Sequence, residues 1–272
     1  MVRSLWTGAT GMNAQQTNVD TIANNLANVN TTGYKSQVAQ FKSLLYQTLQ
    51  TKTTTANGED KPNASQVGLG VRTSSINQIF TQGALLASES DTAFAVEGDG
   101  FFAVQGEDGE RYYTRNGDFN WATSSNGGLV LCNAEGLPVL STTGRAITLG
   151  RQYEASKVKI SADGTVCYPD AQNNLQSLNM TIGMYQFRNP AGLERQGDSL
   201  WAVTDASGPV INEATNNNVR KSKIIQGYLE GSNVSVSDEM VNLIVAQRAY
   251  EMNSKVITTS DTMMEMANNL KR

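Results

Sequence analysis

"LWTGATGMNAQQTNVDTIANNL", Leu5 to Leu26, decides what kind of chain this is. Leu5, Met12, Val19 and Leu26 fall seven residues apart, with Ala9, Ile22 and Ala23 between them, so the apolar side chains form one narrow stripe along a helix. A stripe that narrow is a seam for a partner helix, because a helix lying on a broad core needs a wider apolar face. The pattern predicts a helix over residues 1–30, with Gly33 just beyond it as a stop. The end of this helix is unusual. Four asparagines fall within 24–30, although the asparagine amide competes with the backbone for hydrogen bonds and weakens helices.

The far end of the chain repeats the theme. Val236, Leu243, Tyr250, Ile257 and Met264 are again seven apart, and Ser235 with Asp238 has the spacing of a capping box, so a second long helix is predicted over 235–271. Taking the next seam position four residues on gives Met240, Gln247, Ser254, Asp261 and Asn268, a flank that turns polar. Two narrow, partly polar stripes give little apolar burial, and an isolated helix is only marginally stable in water. The expectation is that both ends stay loose in a lone molecule and order when copies pack together. The alternative is that both helices lie on the middle of the chain.

The middle reads as antiparallel β. "TAFAVEGDGFFAVQGEDGERYYTRNGDFNW" alternates short strands with Gly turns, and "GLVLCNAEGLPVL", "KVKISADGTVCY" and "NMTIGMYQF" continue that spacing. "SLWAVTDASGPV" would close the domain, and 212–219, with three successive asparagines, reads as a loop. Earlier, a Thr-rich strand runs into Asn57-Gly58, a strong hairpin-turn signal, and the polar character of 49–66 predicts a hairpin that projects from the body. Val38 to Leu45 fits a short helix, although its pattern is ambiguous. The predicted fold class is α+β. The N- and C-terminal helices pair as a coiled coil, and a β-rich antiparallel middle carries a long hairpin at about 46–66. The domains are 1–30 plus 235–272 (helical), 31–92 plus 205–234 (linking) and 93–204 (β).

Chemistry is hard to find. Histidine is absent, which removes Ser-His-Asp and Cys-His arrangements and the zinc-protease helix motif. Two cysteines, Cys132 and Cys167, make a poor metal site without histidine, and their pairing is open. "GLGVRT" and "GDGFF" do not open helices, as phosphate loops must. No catalytic, cofactor or metal residues are expected. Scattered Asp and Glu leave a carbohydrate hydrolase as one alternative and a secreted adhesin as another. Charged residues are 17% of the 272, with a formal net charge of −4 and no basic cluster, so a nucleic-acid partner is not expected. A surface rich in neutral amides and hydroxyls is cheap to desolvate and suits extensive protein contacts. No cleavable signal peptide and no membrane-spanning run is read in the sequence.

"MVRSLWTGATGMNAQQTNVDTIANNLANVNTTGYK" resembles the N-terminal signature of the axial rod and hook proteins of the bacterial flagellum. "EGSNVSVSDEMVNLIVAQRAYEMNSKVITTSDTMMEMANNL" resembles their C-terminal signature, and "VEGDGFFAVQ" and "YYTRNGDF" resemble their shared β domain. The opening, the length and the extra segment near Tyr46–Gln66 resemble the distal-rod branch most; proximal rod and hook subunits are the alternatives within the family. The resemblance implies an inner coiled-coil layer built from the terminal helices and an outer β layer. It implies a helical homopolymer in the basal body that transmits torque from motor to hook. Its expected partners are further copies, proximal rod subunits, the hook protein, ring proteins where an outer membrane is present, and the flagellar type III export apparatus. On that reading Leu5, Met12, Val19, Leu26, Leu243, Tyr250, Ile257 and Met264 pack helices, and Asn24, Asn25, Asn28 and Gln247 set register between them. The alternative is that these amides face a water-filled channel.

Overall fold

The computed structural model describes residues 2–50, 65–124, 127–170, 172, 174–216 and 218–270. The chain divides into two compact units: residues 1–27, 37–78 and 235–272 form one, and 28–36 with 79–234 form the other.

The first unit contains the long helices α1 (Val2–Ala27) and α2 (Val236–Asn269). It also contains strands β1 (Gln37–Ser43), β2 (Tyr46–Gln50), β3 (Ser65–Gly68) and β4 (Val71–Gln78). The α1 helix ends at Ala27, short of Asn30, so Gly33 is not its cap. Ser235 stands at the N-cap of α2 with extended backbone, but its side chain makes no capping hydrogen bond. The stretch Val38–Leu45, ambiguous in sequence, is not helical. β1 pairs antiparallel with β4, from Gln37 opposite Gln78 to Ser43 opposite Val71, with one irregularity at Gln40/Phe41. Leu44 and Leu69 carry the ladder onward by donating to the carbonyls of Gly70 and Leu45, and β2 pairs with β3. A continuous ladder satisfies every second backbone group from outside the segment, which outweighs a weak local preference. The turn expected at Asn57 and Gly58 lies outside the described residues. α1 packs on α2 along one side and on β1 and β4 along another.

The second unit is β throughout, apart from two short 3-10 turns. Its strands are β5 (Leu85–Ala87), β6 (Phe94–Glu97), β7 (Phe101–Gln105), β8 (Arg111–Thr114), β9 (Asn120–Thr123) and β10 (Leu129–Cys132). Then follow β11 (Thr148–Leu149), β12 (Lys159–Ile160), β13 (Thr165–Pro169), β14 (Leu175–Thr181) and β15 (Met184–Gln186). The last are β16 (Glu194–Gly197), β17 (Leu200–Ala202), β18 (Ile211–Asn212), β19 (Lys223–Gln226) and β20 (Tyr228–Glu230). The main sheet has the order β16-β17-β8-β7-β15-β18, and "SLWAV" supplies β17, next to its edge strand β16. Two three-stranded sheets, β11-β10-β9 and β12-β13-β14, and the pairs β6–β19 and β5–β20 complete the unit.

β7 shows why the unit holds together. All of Phe101–Val104 is buried. Side chains alternate across a strand, so Phe102 and Val104 enter one core with Leu131, Val139 and Ile147. Phe101 and Ala103 enter another with Tyr113, Tyr185, Phe187, Leu193 and Trp201. In the second core the Phe101 ring meets Trp201 edge-on at 5.8 Å and Phe187 at 5.4 Å, the arrangement that aromatic quadrupoles favour. Gly33 lies in this unit with φ +69; a Cβ there would come within 2.6 Å of the Asn116 nitrogen. Only glycine lets segment 28–36 lie this close to the Arg115–Asn116 backbone. Thus "TTGYK" and "YYTRNG" are matched in space as well as recurring together in sequence.

Candidate assembly interface

The two helices run antiparallel, and their contacts fix the register. Ser4 Oγ lies 3.1 Å from Ser260 Oγ. A Cβ on Gly8 would sit 3.0 Å from Ile257, and one on Gly11 would sit 2.9 Å from the Asn253 amide. At the other end Asn25 Nδ2 donates to Glu239 Oε1 at 3.1 Å. Numbers rise along α1 as they fall along α2. Glycines at positions 8 and 11 let the backbones approach closely, so this seam is built partly from small residues.

Leu5, Met12, Val19 and Leu26 are half-buried, as are Leu243, Ile257 and Met264 on α2, while Tyr250 is exposed. The second line of the α2 seam is not the one read from the sequence. Met240, Gln247, Asp261 and Asn268 are exposed and Ser254 is half-buried, and the more buried flank runs three residues on instead of four, through Glu239, Ala246, Asn253 and Ser260. Ala246 and Ser260 are the buried members, small enough to fit against a closely approaching partner. Gln247 instead lines an open groove of about 360 Å³ with Gln16, Val19, Tyr250 and Glu251.

The amides of α1 have separate fates. Asn25 is 1% exposed. Its Nδ2 donates to the Gln37 carbonyl at 2.8 Å, and its Oδ1 accepts the Gln37 N–H at 2.9 Å, so one side chain pairs with β1 as another strand would. Asn24 is exposed, and its Nδ2 reaches Gln37 Oε1 at 3.3 Å. Asn28 is half-buried and accepts from Thr31 Oγ1 at 3.1 Å. Replacing Asn25 with Ala strands the half-buried Gln37 N–H and is expected to cost roughly 1–3 kcal/mol. Asn24→Ala should cost under about 0.5 kcal/mol, as surface changes do. Denaturant unfolding followed by helix circular dichroism compares them, and equal effects would contradict this assignment.

A feature absent from the sequence reading lies on the outer face of α2. Met252, Val256, Thr259, Met263, Met266 and Leu270 follow a 4-3-4-3-4 spacing and are all exposed, Met252 at 64% and Leu270 at 88%. Each of the four from Met252 to Met263 sits one residue from a seam position (Asn253, Ile257, Ser260, Met264), which turns this stripe about 100° away from α1. Val241, Ile244 and Val245 extend the apolar surface toward the start of the helix. Met252, Lys255, Val256, Thr259, Ser260 and Met263 outline a shallow groove of about 500 Å³. A helix with two heptad stripes has room for two helical neighbours, and α1 occupies one side. The signal was present in the sequence, hidden by the stronger stripe one residue over.

The cavity beside β8 offers no comparable chemistry. About 640 Å³ in volume, it borders β8 and is lined by Arg111, Tyr113, Tyr185, Asn212 and one carboxylate, Glu110, whereas glycoside cleavage uses a flanking pair. Burial pushes the Tyr113 phenol up to about 12, so it stays protonated. Among the described residues no group of three or more Cys, Asp or Glu could hold a metal. Cys132 is buried, Cys167 is half-exposed, and both are free thiols; burial pushes the Cys132 thiol up.

An exposed apolar stripe of this length on a helix already paired inside its own chain defines a subunit made to be covered by other molecules. Three family models match along the chain: "Flagella basal body rod protein" at residues 5–35, "Flagellar hook protein FlgE/F/G D1 domain" at 95–168, and "Flagellar basal body rod FlgEFG protein C-terminal" at 225–270. The flagellar basal-body rod protein FlgG of Borreliella burgdorferi is 44% identical over 274 residues, covering 100% of both chains. Those of Agrobacterium fabrum (41%, 99% of this chain and 100% of the relative) and Bacillus subtilis (35%, 100% of both) are similar throughout. The chain belongs to the FlgG family of flagellar basal-body rod proteins, structural subunits of the flagellum that polymerise with other axial components.

Proposed function

We propose that the chain polymerises with copies of itself into the distal rod, a helical tube that carries torque from the motor to the hook. The terminal helices, 1–30 and 235–272, form a coiled-coil inner layer, residues 31–92 with 205–234 link, and 93–204 form the outer β layer. The observation that carries this reading is the second stripe of α2, Met252 to Leu270, exposed in a single molecule and spaced for another helix. Leu5, Met12, Val19, Leu26, Leu243, Tyr250, Ile257 and Met264 pack the helices, and exposed Asn24 and Gln247 are placed to set register against neighbouring copies; Asn25 and Asn28 act within the chain. Proximal rod subunits lie below, the hook protein above, and ring proteins around the rod where there is an outer membrane. Export proceeds through the flagellar type III channel without a cleaved signal, and the rod crosses the periplasm or wall. The segment near 46–66 adds contacts that keep the rod straight.

The test is to supply the chain to cells lacking their own distal rod subunit and to image isolated basal bodies. Completed, straight rods are expected, and a chain without residues 51–64 should give rods that bend. Rods that stop at the proximal segment with the full chain would refute the distal assignment, and straight rods from the shortened chain would refute the stiffening role.

A further inference from the structure

The second unit buries a cluster of three charges that nothing above uses, and Glu213 is buried as well. Glu230 Oε1 accepts from Lys35 Nζ at 2.6 Å and from the Gly83 N–H at 3.0 Å, and its Oε2 accepts from Arg115 Nη1 at 3.3 Å. The three side chains are 0–2% exposed. Lys35 Nζ also donates to the Thr81 carbonyl at 2.9 Å, and Arg115 Nη2 to that of Gly98 at 2.8 Å, with the guanidinium 4.9 Å from the centre of the Phe101 ring. Within hydrogen-bond contact the cluster has one positive charge in excess, and the buried Glu213 adds a negative charge farther from Arg115. Burial pulls Lys35 and Arg115 below their ordinary values, and Asp99 and Glu213 hold up Arg115 only from a distance. Arg115 Nε has no hydrogen-bond partner. A site this costly is not kept for stability, since apolar replacements of buried ion groups are commonly neutral or stabilising.

Its placement explains it better. Lys35 and Glu230 are 195 residues apart, and Arg115 and Glu230 are 115 apart. Lys35 lies in 28–36, the segment following α1, and Glu230 ends β20, shortly before α2 begins. The same two segments are joined by Gly33 N–H to the Glu230 carbonyl at 2.8 Å and by Ser36 N–H to Asn233 Oδ1 at 2.7 Å. Asn233 Nδ2 donates in turn to the Ile79 carbonyl at 2.8 Å.

We infer that Lys35, Arg115 and Glu230 form a latch in which segment 33–36 docks on the β unit only once segment 228–233 is in place. Segment 33–36 alone would bury Lys35 beside Arg115 without the anion, whereas segment 228–233 alone brings Glu230 to Arg115 as a pair. The three are positioning residues: they hold the two roots from which the terminal helices depart. The charge count gives the latch a signature. Glu230→Gln leaves two buried cations with no anion in hydrogen-bond contact, whereas Lys35→Met leaves an Arg115–Glu230 pair, so the first must be the worse lesion.

Amide hydrogen exchange on the isolated chain tests this, and it does not depend on rod assembly, so the latch and the rod reading fail separately. In Glu230→Gln, protection at residues 33–36 should fall roughly 100-fold or more while β7 changes by less than about threefold. Lys35→Met should leave protection at 228–233 within about threefold, because Arg115 still pairs Glu230. Unchanged exchange at 33–36 in Glu230→Gln overturns the latch, and so does a loss that spreads equally to β7. If Glu230→Gln does not fold, Lys35→Met still decides: a comparable failure to fold, or a loss at 228–233 of roughly 100-fold, overturns it.

Discussion

Val256→Asp combined with Met263→Asp should abolish polymerisation while leaving the single molecule folded. Both side chains are about half exposed on the outer stripe of α2 and face away from α1, so carboxylates there meet water in the monomer. In a contact with another helix they meet apolar surface. An ionised group in such a place costs several kcal/mol or changes its protonation, and the burial of two apolar side chains is lost as well. A combined penalty of about 4 kcal/mol or more weakens each contact roughly a thousand-fold. A helical polymer multiplies that loss at every subunit. Sedimentation of the purified chain should show monomers at concentrations where the unaltered chain sediments as polymer, with unchanged circular dichroism. Polymers of normal length from the double variant would remove the outer stripe from the assembly surface.

Trp201→Ala should be the most destabilising single change in the β unit. The ring is 0% exposed and touches Phe80 and Phe101 at 5.7 and 5.8 Å between centroids. Removing a buried Trp takes away its transfer energy and leaves a cavity that a sheet with tight aromatic neighbours cannot close, about 3–5 kcal/mol. For a unit of this size that lowers the thermal midpoint by about 10 °C. Trp6→Ala makes the comparison, because Trp6 on α1 is largely exposed and its removal should shift the midpoint by little. Differential scanning calorimetry of both variants is sufficient; equal shifts would mean that the aromatic core is not what holds the β unit.

Much of this architecture could be read before any coordinates. The stripes of α1 and α2 were visible because a helix repeats every 3.6 residues, and a seam therefore marks every seventh position whatever lies opposite. The strands of the β unit were visible because Gly-bearing turns interrupt short apolar runs, as at Ser161–Gly164 between β12 and β13. Such signals are local: each is settled by residues within one or two turns of the chain. Residues 148–202 lie outside the quoted family signatures and still supply β11 to β17, again because strand alternation does not depend on a signature.

What tertiary structure decided was every choice between locally equal options. Val38–Leu45 became extended because Val71–Gln78 lay opposite to complete its hydrogen bonds. The inward flank of α2 passed through Ala246 and Ser260 instead of Gln247 and Asp261 because a glycine-bearing helix came close enough to favour small side chains. Asn25 turned inward because the Gln37 backbone matched both halves of its amide, while its neighbour Asn24 stayed in water. Lys35, Arg115 and Glu230 carried no shared pattern at all, since an ion cluster needs only that its members meet in space. Sequence alone determined the elements and the family, because helix and strand periodicity is a property of the chain itself. Partners were decided by the fold, because hydrogen bonds and charges choose among whatever distant groups it brings within about 3 Å.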